Sequence, residues 1–84
     1  MDYSLKEVAG RIKELREAKG YTQEELAKLV NISQPAYCAY ERGVNLPHKN
    51  TQIQLAKVLG VTVAELMLGK VNEAESEVTE TERG

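Results

Sequence analysis

The sequence has one cysteine, one histidine, no apolar run of membrane-spanning length and no surplus of basic charge. Each scarcity excludes something. Cys38 has no partner for an internal disulfide, and Cys38 with His48 cannot furnish a metal's ligand set, so no metal and no cofactor are expected. No stretch approaches the ~20 apolar residues that cross a bilayer, so no membrane association is expected. The opening Met1-Asp2-Tyr3-Ser4 has neither the basic stretch nor the apolar core of a signal peptide, and a cytoplasmic protein is the expectation. What is present is globular in kind: 42% apolar and 29% charged residues over 84 positions. That is one small domain with a modest core.

The net charge of −2 argues at first against nucleic acid, whose binders usually carry a basic footprint. The charge is unevenly spread. Residues 1–69 hold nine Lys/Arg and eight Asp/Glu, net +1, whereas residues 70–84 hold two and five, net −3. The second segment has few apolar residues and no capping motif, and it reads as a disordered acidic tail. The domain is therefore 1–69, and it is nearly neutral.

Within it, helix starts and stops follow one another closely. Ser4-Leu5-Lys6-Glu7, Thr22-Gln23-Glu24-Glu25 and Thr62-Val63-Ala64-Glu65 each have the capping-box pattern, a hydroxyl followed three residues later by glutamate. Ser33 is a further N-cap, with Pro35 in the first turn, where the amide has no intrahelical partner. Gly20, Gly43, Gly60 and Gly69 supply stops. Helices are expected from Ser4 to Gly20, over about 23–30, 34–42 and 49–59, and from Thr62 to Gly69. Their apolar positions include Leu5, Val8, Ala9, Ile12 and Leu15, then Leu26, Ala27, Leu29 and Val30, then Ile53, Leu55, Ala56, Val58 and Leu59. Nothing alternates as a strand does, and the fold class is all-α, with five helices in one compact domain.

The second and third helices are separated by only Asn31 and Ile32 before the Ser33 cap. Helices joined so tightly cross steeply, which makes residues 22–42 a helix-turn-helix unit. Asn31 suits the turn because asparagine tolerates positive φ, and Ala27 is small where the two helices approach. In such units the second helix enters the major groove of DNA and the first crosses the backbone. On a helical projection Tyr37 and Tyr40 face inward with Ile32, while Gln34, Pro35, Cys38 and Ala39 face outward. Gln34 can pair donor and acceptor with adenine. Gln23, eleven residues earlier, can hold a phosphate at the start of its helix.

Residues from about Val8 to Met67 resemble the Cro/C1-type helix-turn-helix family of phage repressors and bacterial xenobiotic-response-element regulators. The resemblance rests on Arg11-Ile12-Lys13-Glu14-Leu15-Arg16, Thr22-Gln23-Glu24-Glu25-Leu26-Ala27, Ile32-Ser33-Gln34, Tyr40-Glu41-Arg42-Gly43 and Leu55-Ala56-Lys57-Val58-Leu59-Gly60-Val61. It implies a five-helix, lambda-repressor-like domain from a bacterium or phage that binds a palindromic double-stranded operator as a homodimer and represses transcription. By the same resemblance Gln23 holds a phosphate, Gln34 leads the base contacts, and Arg16 and Glu41 form a buried structural ion pair. Where relatives often carry polar or basic reading residues this chain has Cys38 and Ala39, and the loop Val44–Asn50 is poor in Lys/Arg. Readout then leans on thymine methyls and groove shape.

The candidate DNA-binding set is Gln23, Ser33, Gln34, Pro35, Cys38, Ala39, Arg42 and Lys49. Arg42 either caps its helix or touches a phosphate; Lys49 and His48 face a phosphate or only solvent. Cys38 is a small filler in a serine-like position rather than a redox switch. Dimerisation is expected from apolar groups near Val44 and Leu46 and from Val63, Leu66 or Met67. The glutamates lie on solvated faces without a nucleophile, so no enzyme is expected. The other function open to such a chain is a protein-interaction module, an antitoxin whose tail grips a protein partner.

Overall fold

Four of the five helices among the described residues begin where a side chain satisfies an orphan amide of the first turn. The Ser4 hydroxyl accepts from the Glu7 amide at 3.3 Å. Thr22 and Thr62 accept from Glu25 and Glu65 at 3.0 Å, and the two glutamates return a carboxylate to the Thr22 and Thr62 amides at 2.9 Å. The Ser33 hydroxyl accepts from Ala36 at 3.2 Å. The computed structural model describes residues 4–69. It contains α1 (Leu5–Lys19), α2 (Gln23–Leu29), α3 (Gln34–Glu41), α4 (Lys49–Leu59) and α5 (Val63–Leu68). No strand occurs among the described residues. The segment 70–84, read above as an acidic tail, lies outside them.

Four of the helix ends share one hydrogen-bond pattern. In the α2–α3 turn the Ile32 amide bonds back to the Ala27 carbonyl at 3.0 Å and the Asn31 amide to Lys28 at 3.1 Å. Those two bonds require a left-handed residue between them, and Asn31 takes it, at φ 61°. The equivalent bonds close α1, α3 and α4 around glycines. Asn31 is the single non-glycine residue at positive φ among those described.

Packing α1 against α3 and α5, and α2 against α3, encloses one core. Val8, Ile12, Leu26, Ala27, Val30, Tyr37, Tyr40, Leu55, Leu59, Leu66 and Met67 are all buried in it. Tyr37 and Tyr40 meet edge to face, centroids 6.2 Å apart at 81°, a favoured arrangement for aromatic quadrupoles. Ala27 is buried where α2 meets α3, as its size suggests.

Several apolar residues are not where the helical stripes put them. Leu29 and Ile53 are 51% and 41% exposed. Each sits about 100° around its helix from the centre of the buried face, the angle of one residue step, so its type is apolar but its direction is outward. Leu5, the first residue of α1, is 40% exposed. Helices α2 and α3 are each a residue shorter than expected, with Val30 and Arg42 as C-caps. The dimerisation candidates divide likewise. Leu66 and Met67 are core residues, and Val63 and Leu46 pack against the core. Only Val44, 53% exposed, stays outward. Pro47 is buried as well, and its carbonyl accepts from Gln52 Nε2 at 3.0 Å, so the α3–α4 loop is tied down at its end.

Candidate nucleic-acid interface

Ser33, Gln34, Pro35 and Arg42 are exposed along one side of α3, and Lys49 is exposed at the start of α4. Cys38 and Ala39 are half-buried, and so is Gln23 at the start of α2. The helical projection is thus right for the first turn of α3, whereas Cys38 and Ala39 are partly covered. Pro35 occupies the first turn of α3. The Ser33 hydroxyl spends an acceptor site on Ala36 and keeps its hydrogen to donate. Arg42 is the C-cap of α3, its backbone amide donating to the Cys38 carbonyl at 3.0 Å, and its side chain is exposed. His48 is the N-cap of α4 and makes no side-chain capping bond.

Behind this face lies a buried polar hub. The Glu41 side chain is 4% exposed and the Arg16 side chain 11%. Arg16 Nε donates to Glu41 Oε2 at 2.6 Å and its Nη2 to Oε1 at 3.2 Å, a two-pronged pair, while Nη1 donates to the Tyr21 carbonyl at 2.8 Å. The Tyr37 hydroxyl donates to the same carboxylate, and Gln23 Nε2 donates to Oε1 at 2.9 Å. One carboxylate therefore joins α1, α2 and α3. Burial pushes the Glu41 carboxyl up, but hydrogen bonds from Arg16, Tyr37 and Gln23 together outweigh it and hold it below the ordinary value. Burial raises the Tyr37 hydroxyl far above a free tyrosine, and the adjacent carboxylate adds to that. The hydrogen bond to Glu41 raises the Arg16 guanidinium further. The expected Arg16–Glu41 pair is in place.

Its other two donors were not anticipated. Tyr37 had read only as core, although it stands four residues before Glu41, the spacing that brings side chains together on a helix. Gln23 reads from the sequence as a phosphate-holding residue, and its side chain is tethered at both ends. Its Oε1 accepts from the Cys38 thiol at 3.3 Å. No local pattern announces that contact, because residues 23 and 38 meet only once α2 and α3 have docked.

Two short helices joined through a left-handed turn, the second exposing a polar first turn above a buried ion pair, define a helix-turn-helix domain. The Helix-turn-helix family model matches residues 12–66, and the chain belongs to that family, in its Cro/C1-type branch. It is similar to the cryptic phage CTXphi transcriptional repressor RstR of Vibrio cholerae, 35% identical over 72 residues, covering 86% of this chain and 61% of that protein. It is also similar to the HTH-type transcriptional regulator YqaE of Bacillus subtilis, 37% identical over 74% of this chain and 53% of that protein. The chain thus spans little more than half the length of these curated relatives. Among solved structures, the restriction-modification controller protein C.AhdI from Aeromonas hydrophila superposes with a TM-score of 0.70 at 33% identity, over 75% of this chain and 96% of that one. The P22 c2 repressor in complex with a synthetic operator gives 0.72 at 27% identity over the same shares.

Proposed function

We propose that the chain is a sequence-specific double-stranded DNA-binding transcriptional regulator, a repressor that works in the cytoplasm as a homodimer on a palindromic operator. The observation that carries this reading is the exposed first turn of α3, where Gln34 stands between Ser33 and Pro35 with no neighbour covering it. A helix presenting a carboxamide at its N-terminal end can enter a major groove and pair with adenine N6 and N7. Gln23, at the head of the preceding helix, donates to a phosphate and fixes the register of α3 over the bases. Arg42 and Lys49 add phosphate contacts on either side, and Ala39 contributes apolar contact to thymine methyls. The relatives favour this reading: RstR is named a repressor, and the P22 c2 repressor was crystallised with an operator.

The test is selection of bound sequences from a random duplex library by the 84-residue chain, followed by salt titration on the enriched duplex. Affinity should fall steeply with salt, because bound phosphates release counterions. Gln34→Ala should cost about 1–3 kcal/mol and relax preference at one base position. A loss spread evenly over all sequences would move Gln34 from the bases to the backbone. Failure to enrich any sequence would remove the repressor reading.

A further inference from the structure

We propose that Cys38 is a positioning residue for DNA binding. Its thiol, with the buried Glu41 carboxylate, locks the Gln23 side-chain amide in one orientation and leaves one N–H to donate to a phosphate. The inference rests on the function proposed above and assigns Cys38 a part distinct from base contact.

The orientation follows from what each neighbour is able to do. An ionised carboxylate only accepts, so the side of the Gln23 amide that lies 2.9 Å from Glu41 Oε1 must be the NH2 group. The carboxamide is planar, and fixing its nitrogen fixes its oxygen. That oxygen then lies 3.3 Å from Cys38 Sγ, a distance at which the thiol donates. Both partners belong to α3, three residues apart and hence neighbours on its surface, while Gln23 opens α2. The amide therefore bridges the two helices. Of the two hydrogens on Nε2, one is spent on Glu41 and the other remains. A free glutamine loses rotamer freedom when it meets a ligand; this one has given that freedom up on folding, so less is lost on binding. Without the thiol, Glu41 still attracts the nitrogen, but the oxygen end swings and the second N–H is no longer held in one direction.

The experiment uses the 84-residue chain and the duplex enriched by the wild type, with Cys38→Ala and Cys38→Ser made alone and in a Gln23→Ala background. Cys38→Ala should weaken binding about two- to fivefold, the size of a weak S–H hydrogen bond, with the preferred sequence unchanged. Cys38→Ser, which keeps a donor, should restore wild-type affinity, and Cys38→Ala should add nothing once Gln23 is alanine. In free protein, nitrogen-15 NMR should find the Gln23 side-chain amide exchanging faster in Cys38→Ala and as in wild type in Cys38→Ser. Unaltered exchange in Cys38→Ala, an equal loss with and without Gln23, a changed base preference, or no rescue by serine would each overturn the inference while leaving DNA binding standing. A wild-type chain that enriches no duplex overturns the function and this inference together.

Discussion

Replacing Glu41 with leucine removes one side chain and strands three. The Arg16 guanidinium, 11% exposed, would keep the Tyr21 carbonyl at 2.8 Å and a distant Glu17 carboxylate at 3.8 Å, but lose its main counter-charge. Breaking a buried pair from one side costs about 3–5 kcal/mol, chiefly because a buried charge is left uncompensated. The Tyr37 hydroxyl, in a fully buried residue, would lose its acceptor, which adds about 1–3 kcal/mol. At roughly 0.05–0.15 kcal/mol per residue, a domain of this size has about 3–10 kcal/mol in all, so Glu41→Leu should abolish or nearly abolish cooperative unfolding at 25 °C. The informative variant is the double Arg16→Met/Glu41→Leu. With both charges gone the desolvation penalty goes too, and the double should be at least about 2 kcal/mol more stable than Glu41→Leu. Adding Tyr37→Phe should recover about 1 kcal/mol more. Urea unfolding followed by far-ultraviolet circular dichroism measures all of these. A double variant whose loss equals the sum of the two single losses would show that Arg16 and Glu41 act independently, and would refute the hub.

The same hub sets the pH range. Glu41 is held below its ordinary value near 4.5, so the stability it contributes is present above that pH and is lost as pH falls through the folded value. Tyr37 is held above its ordinary 10.0, so its contribution is full below pH 10 and is lost above it. Urea midpoints of wild type should drop at both ends, and Tyr37→Phe should flatten the alkaline limb; parallel limbs in the two proteins would contradict this. At the α2–α3 turn, Asn31→Ala should cost about 1 kcal/mol because alanine resists positive φ, whereas Asn31→Gly should stay within about 0.5 kcal/mol of wild type, by thermal unfolding. A chain ending at Gly69 loses a segment of net charge −3 and should bind the enriched duplex a few-fold more tightly near 10 mM salt, where the Debye length is about 30 Å. Equal affinity there would show the segment to be electrostatically idle.

The helix boundaries were legible because caps are local. A hydroxyl, a glutamate three residues on and a glycine or asparagine at the far end act over a single turn, and the sequence displays them directly. The exposed turn at Gln34 was legible for the same reason, following from the Ser33 cap and the position of Tyr37 on the buried side. Leu29 and Ile53 show the limit of residue type as a guide: both are apolar, yet in a small domain the helices turn them to water. Helix α5 shows another limit. Of its six residues, Leu66 and Met67 are consumed by the core and cannot also serve a dimer, while Val63 and Leu68 are only partly covered. The least legible part was the hub, since Gln23, Cys38 and Glu41 become neighbours through the docking of α2 on α3.

That docking has a consequence for altering target preference. Transplanting the outward residues of α3 from a relative is the simplest way to redirect a protein of this kind, and it treats the helix as a detachable cassette. Here the cassette is stitched to its predecessor, because the thiol at position 38 grips Gln23 on α2. A graft that changes residue 38 therefore also releases one end of Gln23 on the other helix, and a faithful exchange has to carry residues 23 and 38 across as a pair.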